Sequence, residues 1–272
     1  MTTPSLGGWG TFFDYEIVAV YFWAVVHDRP TCWACDPDNW PEGLRAWPLP
    51  SQSTMSRRLR TTEVQRLLHF VERSLVKLQE TPWVAAIDGK PMVVGTHSKD
   101  PDCHWGRAGR GYAKGYKLHA VYATAPLPQG WEITSLNVGE PEVAARLIPT
   151  LNGGGYILGD KQYDSNPLHD VALHAGFQVV AQRKRPLGGL GHRRHSPGRL
   201  RSIALLQNDF GKTLYRCRGD IERQFGWLTN HAAGLSPLPN WVRRQSRVQS
   251  WVQAKLIIHG LYVHLTRAPP AS

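Results

Sequence analysis

Three acidic residues stand where a carboxylate is costly unless something offsets it. Asp88 closes the apolar run Val84-Ala-Ala-Ile-Asp and is followed by Gly89, and Asp160 closes Tyr156-Ile-Leu-Gly-Asp in the same manner. A carboxylate that ends a buried strand must be paired or bind a cation to offset its lost hydration. The third, Glu222, lies in Leu214-Tyr-Arg-Cys-Arg-Gly-Asp-Ile-Glu-Arg-Gln-Phe-Gly-Trp-Leu228. At about 100° per residue, Leu214, Cys217, Ile221, Phe225 and Leu228 form one apolar stripe of a helix, and Tyr215, Arg218 and Glu222 form a second beside it. Glu222 then sits at the edge of the buried face, able to look along a sheet towards the two aspartates. Three hard oxygen donors suit magnesium or manganese. Two such ions about 4 Å apart activate an attacking water or 3′ hydroxyl and stabilise the leaving oxygen of a phosphodiester. Arg218, one turn before Glu222, is suited to a phosphate and Tyr215 to a sugar or base.

The elements that must position these residues follow from the pattern around them. Segments 83–88, 116–123, 133–138, 156–158 and 178–182 are short, β-rich and bounded by Gly or Pro, which predicts strands. Segments 141–151 and 167–175 read as helices, the second with Asn166 as cap, Pro167 in the first turn and Gly176 past the end. Three strands, helix, strand, helix, strand is an α/β order, with early strands pairing antiparallel and later ones joined by crossovers. Segment 183–201 holds seven Arg or Lys and no acid, and reads as an exposed basic loop. Helices over 209–229 and 241–265 end the chain. Before the sheet, 12–27 reads as a buried helix and 28–50 as a connector rich in Pro, Trp and Cys. Segment 51–60 resembles a helix-turn-helix recognition helix, with hydroxyl residues to cap it and Arg57, Arg58 and Arg60 on it. Val64, Leu67, Leu68, Val71, Leu75 and Leu78 give the next helix its apolar face. Pro82 marks a boundary, so the expected domains are a helical region over 1–80 and an α/β domain over 81–272.

The composition agrees with a polyanionic partner. The chain has 272 residues, 32 Lys plus Arg against 21 Asp plus Glu, and a net charge of +11, a surplus that favours nucleic acid. At 42% hydrophobic residues it can bury a core and is no disordered tail. The apolar run 17–26 falls short of the ~20 residues of a membrane span. Asp14 and Glu16 precede it where a signal peptide would be basic, so a soluble, cytoplasmic, nucleoid-associated protein is expected. Four cysteines imply no disulfide framework, and Cys32/Cys35 lack the second pair of a zinc site.

Tyr215, two residues, Arg218, three residues, Glu222 resembles the Y-(2)-R-(3)-E signature of bacterial insertion-sequence transposases of the DDE type. Ile87-Asp-Gly-Lys-Pro91 resembles their first-aspartate motif, Lys114-Gly-Tyr-Lys-Leu-His119 a recurrent strand, and Gly159-Asp-Lys-Gln-Tyr-Asp-Ser165 their second-aspartate motif. The resemblance runs over about 83–265. It implies an RNase H-like mixed sheet flanked by helices and a catalytic triad of Asp88, Asp160 and Glu222 holding two magnesium ions, with manganese as a substitute. The implied activity is cleavage at element ends and strand transfer into target DNA by a homodimer or larger assembly. The family lysine seven residues after the glutamate is Thr229 here, and Gln162 replaces a small residue of the second motif.

The DNA-contacting set expected from charge and motif is Arg57, Arg58, Lys114, Lys117, Arg183, Lys184, Arg185, Arg193, Arg194, Tyr215 and Arg218. Asp164 reads as a solvated cap rather than a rival ligand, and His119 as a core histidine. Two competing functions carry the same residues: an RNase H-like nuclease or resolvase that cuts without joining, and a domesticated DNA-binding protein that no longer catalyses.

Overall fold

The computed structural model describes residues 12–79, 82–123, 125–192, 194–229, 234–235 and 237–267. Two compact units emerge: Gln79–Gln249, and the chain up to Leu78 joined by the chain from Ser250 on.

The second of these is helical. It contains α1 (Asp14–Val26), α2 (Thr31–Ala34), α3 (Gln52–Arg58), α4 (Thr62–Lys77) and the greater part of α9 (Gln245–Arg267). Ile17, Val20, Ala24 and Val25 of α1 are buried, as are Val64, Leu68 and Leu75 of α4, while Leu78 stays exposed. The connector 28–50 is organised by tryptophan. Trp23 Nε1 donates to the Asn39 carbonyl at 3.0 Å and Trp40 Nε1 to the Ala34 carbonyl at 2.9 Å, and the two rings stack 4.9 Å apart. Cys32 and Cys35 are free thiols. Every residue from Trp251 to Ile257 is buried, so this stretch of α9 is an interior helix rather than a surface one. Gln253 Nε2 donates to Glu72 Oε2 at 2.7 Å, and Lys255 Nζ pairs with Asp28 Oδ1 at 2.7 Å. The single boundary expected near residue 80 is therefore joined by a second crossing at Ser250.

Arg58 requires a correction. Met55 and Arg58, three apart on α3, both face inward. The Arg58 guanidinium pairs with Asp14 Oδ1 at 2.5 Å and donates to the Phe12 carbonyl at 3.0 Å, so it is committed to the fold, and Arg57 alone of that pair is exposed.

The α/β unit runs β1 (Val84–Val93), β2 (His104–Ala108), β3 (Gly111–Tyr122), β4 (Gly130–Ser135), α5 (Glu140–Leu147), β5 (Gly155–Gly159), α6 (Asn166–His174), β6 (Phe177–Ala181), α7 (Pro197–Gln207) and α8 (Asp209–Trp227). The sheet order is β2-β3-β1-β5-β6, with β4 also on β3. Pairs β1/β3, β2/β3 and β3/β4 are antiparallel, and β1/β5 and β5/β6 are parallel. This is the mixed sheet flanked by helices that the sequence predicts, with one unanticipated strand, β2. One sheet face buries Ala85, Ile87, Val121, Ile157 and Val179 with Ala144, Ile148, Leu168 and Ala172 from the crossover side.

The basic segment 183–201 is a loop only as far as Ser196. Pro197 opens α7 in the first turn, where its missing N–H costs nothing. The helix is then fastened to β6, since Gln178 Nε2 donates to the Gly198 carbonyl at 2.9 Å and the Ala181 amide to Ser202 Oγ at 3.1 Å.

Removing one partner of a buried ion pair strands the other at a cost of about 3–5 kcal/mol. Asp14→Ala is accordingly expected to lower the unfolding free energy by about 3 kcal/mol and Arg57→Ala by less than about 0.5 kcal/mol, as read from denaturant titration of the full chain.

Candidate active site

The parallel register of β1 and β5 decides where the aspartates go. Val84 stands opposite Tyr156 and Ala86 opposite Leu158, so two residues further along each chain Asp88 and Asp160 come level. Paired residues on neighbouring strands point to the same face, about 4.8 Å apart. The strand expected to end at Asp88 runs on to Val93, so Asp88 lies midway along β1 where its pairing with β5 gives out, and Asp160 lies just past the end of β5. Both acids thus reach one point beside the carboxyl end of β5, the kind of place where open α/β sheets present their ligand sites. They line a cavity of about 620 Å³ together with Gly89, Lys117, Glu140 and Gln162. Asp88 Oδ1 accepts from the Gly89 amide at 2.8 Å, and Asp160 Oδ1 from the Gln162 amide at 2.7 Å, capping the 3₁₀ turn Lys161–Tyr163. Gly159 is needed there, because a Cβ would lie 2.8 Å from the ring of Tyr163, which is fully buried beneath the strand end.

Helix α8 brings the third acid. Leu214 and Leu228 of its expected apolar stripe are buried and Cys217 is half-buried; Ile221 and Phe225 lie outside the described side chains. On the neighbouring stripe the Tyr215 hydroxyl donates to the Gly159 carbonyl at 2.9 Å and accepts from Arg218 Nη1 at 2.9 Å. Arg218 in turn pairs with Glu222 Oε1, at 2.5 Å from Nη2 and 2.7 Å from Nε. Tyr215 and Arg218 therefore face the protein here rather than a nucleic acid. They form a bracket from the residue before Asp160 to Glu222.

Burial raises the Asp88 carboxyl to about 6, and the charges of Glu222, Glu140 and Asp160 push it the same way against the Gly89 amide. Glu140 is the residue that sequence reasoning missed. It opens α5, and an acid in a first helical turn is ordinary helix chemistry, so neither its type nor its spacing singles it out. Its Oε1 pairs with Lys117 Nζ at 3.0 Å, and both side chains close over Gly89, whose absent Cβ would lie 3.0 Å from Lys117 Cδ and 3.1 Å from Glu140 Oε1. Lys117 is thus a buried wall of the cavity instead of an outer DNA contact. Lys114 is half-buried, with Nζ donating to the Ser98 carbonyl at 2.6 Å. His119 is a core histidine, 2.9 Å from Thr134 Oγ1, lowered to about 3 by burial and by the charges of Lys117 and Arg146.

Among the described residues no three His, Cys, Asp or Glu side chains converge as a ready metal shell, and Glu222 is engaged by Arg218. The donor set is nonetheless all carboxylate, and the mutual repulsion at Asp88 marks a negative centre that a hard cation would relieve.

Asp164, expected as a solvated cap, is buried. Burial alone would raise its carboxyl; bonds from Arg199 and from the Lys184 amide outweigh that and hold it below the ordinary carboxylate range. Of the basic loop, Lys184, Arg185 and Arg194 are exposed. The Arg183 guanidinium is folded onto the Pro186 and Gly188 carbonyls, and Arg193 lies outside the described residues. Thr229 is buried, its hydroxyl donating to the Gly226 carbonyl at 3.1 Å, so the position of the family lysine is turned into the protein.

The family model for the transposase DDE domain matches residues 79–259. The chain belongs to the transposase DDE domain family. No curated protein matches the chain. Among solved structures the chain is similar to the piggyBac transposase in a cryo-EM synaptic complex with hairpin DNA. That match has a TM-score of 0.51 and 12% identity, over 100% of this chain and 70% of that one. At that identity the likeness is one of fold. No helix of the described residues is long and apolar enough to cross a membrane. The DDE domain match contains all three acids and the Tyr215–Arg218 bracket.

Because folding raises the Asp88 proton affinity, the folded DDE domain holds a proton that the unfolded chain releases. Stability attributable to Asp88 is therefore present at low pH and lost as pH rises towards about 6. Asp88→Asn should be about 2 kcal/mol more stable than the parent at pH 7.5 and equal to it at pH 4, measured by denaturant unfolding with a chelator present. A pH-independent difference would remove the electrostatic account.

Proposed function

We propose that the chain is a DNA transposase that hydrolyses phosphodiester bonds at the ends of an insertion element and joins the freed 3′ ends to target DNA. The observation that carries this reading is the alignment of Asp88, midway along β1, with Asp160, just past the end of β5, in one cavity, with Glu222 tied to the end of β5 through Tyr215 and Arg218. Exposed cations on the neighbouring loop give a phosphate backbone somewhere to bind.

Asp88 and Asp160 would hold magnesium or manganese, with Glu222 completing the set once DNA phosphate competes for Arg218. The bound ions would supply Lewis-acid polarisation and an activated oxygen nucleophile. The protein residues have separate tasks. Gly89 leaves room for the Lys117–Glu140 pair over β1, and Gly159 leaves room for the Tyr163 ring under the end of β5. Lys117 neutralises Glu140, which limits the negative charge a phosphodiester must approach. Tyr215 fixes the height of α8 against β5, and Arg218 exchanges a carboxylate for a phosphate of similar geometry. Duplex DNA is the proposed partner, and bridging two element ends calls for at least two copies of the chain.

The DNA on either side of the chain's own gene, end-labelled and incubated with the purified protein, should give cleaved ends and strand-transfer product with magnesium and neither with a chelator. Asp88→Ala should abolish both while leaving DNA affinity within about threefold. Cleavage without joined product would favour the nuclease reading, and unchanged cleavage by the variant would refute the site. Tyr215→Phe, which removes the hydroxyl from the bracket, should lower the cleavage rate constant by about tenfold or more with little change in affinity. Single-turnover assays at saturating protein would show this.

A further inference from the structure

The described residues of 184–196, all but Arg193, belong to an excursion whose two ends are held by Asp164 and Asn166. At its start the Lys184 amide donates to Asp164 Oδ2 at 3.0 Å. At its end the Ser196 amide donates to Asn166 Oδ1 at 3.1 Å. Just beyond, Arg199 grips Asp164 with both edges of its guanidinium, at 2.5 Å to Oδ1 and 2.9 Å to Oδ2, and touches His195 Nδ1 at 2.9 Å. His195 Nε2 is 2.8 Å from the Leu190 carbonyl, bracing the tip from within. Short excursions with adjoining ends and internal bracing are compact and frequently functional. Asp164 lies four residues past Asp160, so the stem stands within about 14 Å of chain from the second acid.

The tip is chemically odd. Leu187 is 102% exposed and Leu190 38% exposed, and around them stand Gly188, Gly189 and Gly191 and the exposed cations Lys184, Arg185 and Arg194. Gly191 has φ +72, a left-handed turn that suits glycine. A solvated basic loop has no use for one fully bare leucine and a second that is partly open. Proteins that enter the minor groove pair such apolar side chains, wedged between base steps, with arginines that follow the narrow groove, and so kink the duplex.

Resting on the DNA-directed reading above, we propose that the 184–196 loop is a minor-groove wedge. Leu187 and Leu190 part a base step, Arg185 and Arg194 hold the flanking phosphates, and Asp164 and Asn166 fix the wedge beside the catalytic strand end so that the bend is delivered next to the bond to be cut.

The test uses the full-length protein and a 40-base-pair A·T-rich duplex carrying a fluorescence donor and acceptor at its ends, in chelator so that no cleavage is required. Binding should raise energy transfer, and netropsin, which fills the minor groove, should weaken the affinity by about tenfold. Leu187→Ala, at a fully exposed position, should lower energy transfer, and Leu187→Ala/Leu190→Ala, with an unchanged circular dichroism spectrum as the check on folding, should return it to that of free DNA. Affinity should fall about tenfold with the salt dependence unchanged, because no cation is removed. Arg185→Ala should instead flatten the slope of log affinity against log salt by about one. A leucine variant that bends and binds like the parent overturns the proposal, as does indifference to netropsin or a variant whose only change is in oligomeric mass. Bending by a protein that never cleaves would leave the wedge standing and remove the transposase reading. Cleavage without bending would do the reverse.

Discussion

Carboxylates crowded beside the end of β5 repel one another, and a fold that brings them together has to supply the compensating free energy from elsewhere. At an effective dielectric near 20, two such charges several ångströms apart repel by about 2–3 kcal/mol, and at Asp88 this adds to the burial that is the main cause of its elevated proton affinity. The surrounding structure can be understood as its restraint. The strands are fastened by parallel pairing and by a core that includes Ala85, Ile87 and Ile157. The excess charge is divided among local partners: Lys117 takes Glu140, Arg218 takes Glu222, and backbone amides serve Asp88 and Asp160.

Those partners differ in how easily they can be displaced. Lys117 is almost fully buried with Glu140, whereas Arg218 and Glu222 keep about a quarter to a third of their side-chain surface open. Ion pairs open to solvent contribute less net stability than buried ones, so on the proposed function the Arg218–Glu222 pair is the one that a phosphate would open at the smaller cost to the fold. The Lys117–Glu140 pair is fixed architecture by the same reasoning. Residues that look equivalent as a list of charges thus divide into a more buried and a more open pair.

The strands carrying Asp88 and Asp160 were legible because apolar runs broken by Gly or Pro have a strong β signal, and the 3.6-residue period placed Tyr215, Arg218 and Glu222 on one stripe. What escaped was set by long-range pairing. Strand β2 is short and begins with a polar residue, so alternation alone does not announce it. Helix α7 opens among Arg, Gly and Pro, and its attachment depends on β6, distant in sequence. Arg58 and Asp164 looked like surface residues because each is paired across 44 or 35 positions, with Asp14 and Arg199 respectively. Glu140 was hidden by being an ordinary first-turn acid until the sheet placed it over Gly89. Charge type is visible in a sequence, but whether a charge is already spoken for is a property of the folded chain.

The return of α9 to the helical unit bears on how the protein is made. A ribosome adds roughly 5–20 residues per second, and domains ordinarily fold in the order in which they emerge. Here the stretch Trp251–Ile257, buried on every side, is synthesised after the whole of Gln79–Gln249. The α/β unit can therefore close first, while α1 and α4 wait for their last helical neighbour for about ten seconds or more. That interval is the synthesis of the α/β unit itself, so the segments that carry all three acids are made before the helical unit receives α9.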